Sequence, residues 1–152
     1  MERVLVTGGT GFVGQSIVSA LVSAGYDVIA GARTLQPWMP VRTVQFDMRD
    51  ERSVDAVVRS VKPAVIINSA ALSSTSLCEQ KPDEALEVNY KGVERLLASA
   101  DSNGSFLVQI STESVLLGKP ALQDEDVPLP ERAYTVYGET KRLAEVAVRQ
   151  RT

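Results

Sequence analysis

Val4-Leu5-Val6-Thr7-Gly8-Gly9-Thr10-Gly11-Phe12-Val13-Gly14 stands at the start of the chain, and its reading decides the fold. Val4, Leu5 and Val6 form a short apolar run rich in β-branched side chains, the mark of a strand buried on both faces. A glycine-rich segment follows, then a helical pattern over 15–24 that carries Ile17, Val18, Leu21 and Val22 and stops at Gly25. Strand, glycine turn and helix in that order make a place for a phosphate. Gly8 permits the tight turn, Gly11 lets backbone come close to a pyrophosphate, and Gly14 lets helix and strand pack closely. The first N–H groups of the helix then face the anion. Thr10, Phe12 and Val13 lie between these glycines and belong to the same candidate cofactor-binding loop.

Working outward, the pattern predicts further strands over 28–30, 41–46, 64–68 and 106–110. Helices are predicted over 53–61, 84–100 and 137–149, and loops at Pro37-Trp38-Met39-Pro40, in the Ser-rich stretch 73–76 and over the polar connection 118–133. Lys62-Pro63 and Asn103-Gly104 end the two middle helices. Strands alternating with helices imply an α/β fold: a Rossmann-like, doubly wound parallel sheet of about five strands with helices on both faces. In such sheets a ligand sits at the carboxyl ends of the strands, where the strand order reverses.

The chain of 152 residues suits one domain, 1–152, and 44% hydrophobic residues suffice for a core. A net charge of −3 without long runs of one sign gives no electrostatic reason to expect nucleic acid or a membrane as partner. The opening apolar run is too short for a signal peptide or a membrane span. Cys78 stands alone, which excludes an internal disulfide and suits a reducing compartment, so a cytoplasmic protein is expected. The absence of His removes a His-based triad and the commonest metal ligand, and no metal site is expected.

Two further places carry chemistry. The second strand runs out at Ala32-Arg33. A carboxylate there would bind an adenosine ribose 2′-hydroxyl and select NAD, whereas a guanidinium pairs with a 2′-phosphate. The expectation is NADP(H) over NAD(H), the plain alternative being that Arg33 is a solvated loop residue. Tyr137-Gly138-Glu139-Thr140-Lys141 places a phenol and an ammonium four residues apart, on one face of a helix. A free phenol has a pKa of about 10, and a nearby Lys cation is expected to lower it. Tyr137 would then protonate a carbonyl oxygen as hydride arrives at carbon, and Lys141 would hold the nicotinamide ribose. Tyr26, Tyr90 and Tyr134 have no Lys four residues later.

The Gly-x-x-Gly-x-x-Gly spacing of Gly8, Gly11 and Gly14, followed in order by Tyr137 and Lys141, resembles the extended short-chain dehydrogenase/reductase family. The resemblance implies several roles. Asp47 matches the family's acidic residue at the adenine amino group, with Met48 beside it, although Asp47 could equally cap the turn towards Arg49-Asp50. Asn68-Ser69-Ala70-Ala71 looks like the family's Asn-x-Ala-Ala segment, in which Ser69, Ala70 and Ala71 would line the cofactor or simply pack. In Ser111-Thr112-Glu113-Ser114-Val115 the family places a hydroxyl that orients the substrate carbonyl. Thr112 is assigned to it, completing a catalytic set with Tyr137 and Lys141, and Ser111 and Ser114 are alternates. Val88-Asn89-Tyr90-Lys91-Gly92 resembles the family's Val-Asn-x-x-Gly helix, where Asn89 would support a water near the catalytic Lys or stand exposed.

Ser-Thr-Glu-x-Val followed by Gly118 is most similar to the dTDP-4-dehydrorhamnose reductase branch. That implies an NADP(H)-dependent reductase of a 4-keto-6-deoxy nucleotide sugar. The alternatives are a nucleotide-sugar epimerase or dehydratase of the same family, and a non-catalytic NADP-binding regulatory subunit. Asp124-Glu125-Asp126 with Pro128 and Pro130 matches the family's acidic loop before the Tyr, or is a solvated loop. Leu72-Ser73-Ser74-Thr75-Ser76-Leu77 departs from the branch, which carries an aromatic or His residue and a Val-Asp pair there. Family members continue well beyond this point, so the C-terminal substrate region is expected to be absent, leaving Leu143, Val146 and Ala147 short of cover. Relatives pair through their equivalents of helices 84–100 and 137–149, which implies a possible homodimer.

Overall fold

Val4, Leu5 and Val6 are all buried, as only a strand at the centre of a sheet covered on both faces can be. The computed structural model describes residues 1–116 and 127–151. Its elements in order are β1 (Arg3–Thr7), α1 (Phe12–Ser23), β2 (Asp27–Ala32), β3 (Arg42–Gln45), α2 (Glu51–Val61), β4 (Val65–Asn68), α3 (Thr75–Gln80), α4 (Pro82–Leu86), a π-turn (Glu87–Lys91), α5 (Gly92–Asn103), β5 (Phe106–Gln109), a 3₁₀ turn (Glu113–Leu116) and α6 (Val136–Arg149).

The sheet is parallel throughout in the order β3-β2-β1-β4-β5, the Rossmann-like arrangement that the sequence implies. The chain winds outward from β1 through β2 and β3, then crosses to the other side for β4 and β5, so the strand order reverses between β1 and β4. Alternation along β1 divides the core. Val4 and Val6 join Val18 of α1 with Val28 and Ala30 on one face. Leu5 joins Ile29 and Ile66 with Val54 and Val58 of α2 and Leu96 of α5 on the other. Helix α6 lies outside α5, with Ala144 against Val93 and Leu97, and Ala147, one of the residues expected to lack cover, packs half-buried there. Among the described residues no helix is long and apolar enough to cross a membrane.

Several elements differ from expectation. The Ser-rich stretch is not all loop: Ser74 caps α3 by accepting a hydrogen bond from the Leu77 N–H, which turns a polar run into a helix start. The helix expected over 84–100 is three pieces, with a π-turn between α4 and α5. The loop expected at 37–40 is present: no helix joins β2 to β3, where Pro37 and Pro40 lie, and Pro supplies no N–H to a helix. Helix α1 begins at Phe12, inside the glycine segment. The expectations at Gly118 and over 124–126 fall outside the described residues.

The turn after β1 is closely packed. Gly8 has φ +65°, and a Cβ there would lie 2.8 Å from the backbone of Ala70, which follows β4. A Cβ on Gly14 would lie 2.2 Å from the Gly8 carbonyl oxygen. Gly14→Ala therefore has to push α1 off β1, and is expected to cost about 2 kcal/mol or more. Urea unfolding of the two proteins measures it; equal midpoints would show that the loop moves freely.

Candidate functional site

A cleft of about 510 Å³ opens along the carboxyl ends of the strands, at the reversal of strand order. Most of the residues selected from the sequence line it: Gly8, Thr10, Gly11, Phe12, Val13 and Gly14 from the first turn; Arg33, Asp47 and Met48 from the ends of β2 and β3; Ser69, Ala70 and Ala71 after β4; and Tyr137 and Lys141 from α6. Thr112 and Asn89 do not line it. Ile110, Ser111, Leu72 and Glu84 do, and went unselected for this role, apart from Ser111 as an alternate for Thr112.

At the first turn, Gly11 is the N-cap of α1 in an extended conformation, without a side chain to accept from the helix, and the first helical turn holds no acidic residue. The free N–H groups and the positive end of the helix dipole are thus presented where the glycines line the cleft. Phe12 is 92% exposed at this point.

Arg33 is the first residue beyond β2 and is exposed. Across from it, Asp47 accepts from the Arg49 N–H at 2.9 Å and from the Arg49 guanidinium at 2.5–3.1 Å. The capping alternative for Asp47 is therefore real, and the residue lines the cleft as well. Hydrogen bonds from Arg49, with help from the charge of Arg33, hold the Asp47 carboxyl below the ordinary carboxylate range against the opposing effect of burial.

Helix α6 brings the phenol and the ammonium. Three contacts seat its start: Thr135 accepts from the Gly138 N–H at 3.0 Å, Glu79 of α3 accepts from the Val136 N–H at 2.8 Å, and a Cβ on Gly138 would lie only 2.5 Å from the Ser114 carbonyl oxygen. Helix α6 is thereby packed on the 3₁₀ turn, and the Thr112 hydroxyl acts on the Tyr137 phenol. Thr112 donates to Glu113 at 3.0 Å and accepts from the Ser114 N–H at 3.3 Å.

The electrostatics reverse one expectation. The Tyr137 phenol is pushed above its usual value, first by burial and then by the charges of Glu113 and Cys78, while the hydrogen bond with Thr112 pulls the other way. The Lys141 ammonium is buried and donates to the Ile110 carbonyl oxygen at 2.5 Å. Burial draws its own pKa down to about 8, opposed by Glu145 one turn further on.

Asn89 is fully buried in the π-turn, not exposed. Its amide accepts from the Leu72 N–H at 2.7 Å and donates to the Leu72 carbonyl at 3.1 Å and to Thr140 at 3.2 Å. It ties the loop after β4 to the helix of Tyr137 and Lys141. Glu79 and Gly138 were not singled out, because a single carboxylate or glycine has no periodic signal; only its neighbour in space shows its use.

The family model described as the RmlD substrate binding domain matches residues 1–152. Among curated proteins the chain is 31% identical to the methionine adenosyltransferase 2 subunit beta of Pongo abelii over 97% of this chain and 42% of that protein. Among solved structures it resembles UDP-glucose 4-epimerase of Thermus thermophilus in complex with NAD, at 30% identity and TM-score 0.88, covering 97% of this chain and 50% of that one. It also resembles dTDP-4-dehydrorhamnose reductase of Bacillus anthracis in complex with NADP, at 27% identity and TM-score 0.82, covering 98% and 49%. The chain spans about half the length of the curated relatives it matches.

Burying the Lys141 ammonium costs stability. The unfolded chain keeps that proton to about pH 10.5 and the folded chain only to about 8, so Lys141 makes folding more favourable as pH rises from about 8 to 10.5. Lys141→Met is expected to be more stable than the parent at pH 7, by about 1–3 kcal/mol, with the gap narrowing above pH 8. Urea unfolding at pH 7 and pH 9.5 checks this; a Met variant less stable at pH 7 would mean that the Ile110 hydrogen bond outweighs the lost hydration.

Proposed function

The chain belongs to the RmlD substrate binding domain family, and from that membership we propose that it is the dinucleotide-binding part of an NADP(H)-dependent reductase of a 4-keto-6-deoxy nucleotide sugar. The observation that carries the proposal is the single cleft that gathers the glycine turn, the loop after β4, Tyr137 and Lys141.

The residues present suit a dinucleotide. Gly8 and Gly14 bring the walls of the cleft together, a Cβ on Gly11 would meet only the Gly8 carbonyl oxygen, and α1 offers uncapped N–H groups to a pyrophosphate. Met48 and Asp47 would border the adenine, Arg33 would meet a 2′-phosphate, and Lys141 would hold the nicotinamide ribose. When bound, a reduced nicotinamide supplies hydride. The protein's own part is the proton. The phenol, pushed above its usual pKa, is protonated at neutral pH, so Tyr137 has a proton to give to a carbonyl oxygen. Thr112, beside the phenol, would orient that oxygen.

Likeness to the B. anthracis reductase supports the substrate class, and the T. thermophilus epimerase, solved with NAD, represents the alternative within the same fold. A second reading rests on the resemblance to the methionine adenosyltransferase subunit: a module that binds NADP(H) without turnover. Tyr137→Phe separates them, since it abolishes reduction but leaves a regulatory module intact.

Calorimetric titration tests the cofactor half directly. NADPH is expected to bind more tightly than NADH, Gly11→Val to abolish binding of both, and Arg33→Ala to weaken NADPH by about tenfold with little effect on NADH. Tighter NADH binding that Arg33→Ala leaves unchanged would rule out the NADP(H) preference.

A further inference from the structure

Beneath the cleft a row of side chains crosses three neighbouring strands at one level. Parallel pairing sets Thr7 of β1 opposite Asn68 of β4, and Asn68 opposite Gln109 of β5. The Thr7 hydroxyl donates to Asn68 Oδ1, Asn68 Nδ2 donates to Gln109 Oε1 at 2.7 Å, and Gln109 Nε2 donates to the Ile110 carbonyl oxygen at 2.7 Å. That carbonyl is the one that receives Lys141 Nζ at 2.5 Å. The direction of the row is not arbitrary. Asn68 Oδ1 also accepts from the Ala70 N–H, which can only donate, and the row ends on a carbonyl, which can only accept. Both amides therefore have a single possible orientation.

Thr7 and Asn68 are fully buried, so Asn68 needs a partner for its NH₂ group. Any acceptor would meet that need. Gln109 does more, because its own NH₂ occupies one lone pair of the Ile110 oxygen and leaves the other to the ammonium. We infer that Gln109 is a positioning residue for Lys141, fixing the direction of the Ile110 carbonyl and with it the place of the ammonium at the floor of the cleft. Its importance for reaction rests on the reading of Tyr137 and Lys141 as the reacting pair, but the coupling itself does not. The charged side chain that acts on Lys141 is Glu145 of its own helix; Tyr137 shares the cleft, and α3 contributes Cys78 near the phenol. None of these is altered by a change at 109.

The test follows the lysine Cε resonances by NMR against pH in the nucleotide-free chain, which has five lysines to assign. Gln109→Met keeps the length of the side chain and adds no charge, but removes the donor to Ile110. The Lys141 midpoint is expected to fall by about one unit, a tenfold change in its proton equilibrium, as the ammonium loses a fixed acceptor. A folded Gln109→Met protein whose Lys141 midpoint stays within about 0.2 unit of the parent would overturn the inference. Should the variant not fold, the parent supplies a second readout. The Gln109 side-chain NH₂ resonances are expected to shift with the same midpoint as Lys141, and an NH₂ signal that stays still through that titration would overturn the inference equally. Neither readout involves a nucleotide, so failure to bind NADPH would count against the proposed function and leave this coupling untouched.

Discussion

Backbone lies against backbone where the turn after β1 meets the turn after β4, with 2.8 Å between the place a Gly8 Cβ would occupy and Ala70. Everything else in the cleft depends on that approach. It exists because the strand order reverses between β1 and β4, so the two connections leave the sheet in opposite directions and uncover the strand ends between them. Gly14 then brings α1 down onto the Gly8 carbonyl. A methyl group at either position would lift one wall of the cleft off the other.

The opposite wall is made by polar contacts more than by apolar packing. Helix α6 buries little beyond Ala144 against α5, yet its start is held by Thr135, by Glu79 of α3 and by the close seating of Gly138 on Ser114. Asn89 adds a clamp between the loop after β4 and Thr140. A π-turn costs regular helical bonding, and here it places a buried amide where three backbone and side-chain groups need it. Lys141, buried with its pKa drawn down, is tolerated because the Ile110 carbonyl receives it. The wall gives up stability in order to hold the Tyr137 phenol and the Lys141 ammonium in register.

The elements that are legible in advance are those whose signal is local. A β-branched run before glycines, the helix stops at Gly25, Lys62-Pro63 and Gly104, and the helical spacing of Ile17, Val18, Leu21 and Val22 can each be read from a few adjacent residues. The failures lie where a hydrogen bond overrides what composition suggests. Ser73–Ser76 has the composition of a loop, and only the hydrogen bond from Leu77 shows that Ser74 is a cap. The interruption within the helix over 84–100 depends on Asn89 reaching Leu72, a residue 17 positions away.

By itself, the sequence determined the parallel α/β sheet, the glycine turn, and which phenol and ammonium share a helix face, because these depend on neighbours within one or two turns of the chain. Only the tertiary structure decided what those groups are. The Tyr137 phenol is pushed above its usual value because the fold buries it near Glu113, and Lys141 reaches the Ile110 carbonyl because strand register sets that oxygen, with Gln109 behind it, within 2.5 Å. The physical reason is that burial and charge act through space, between residues that the sequence holds far apart.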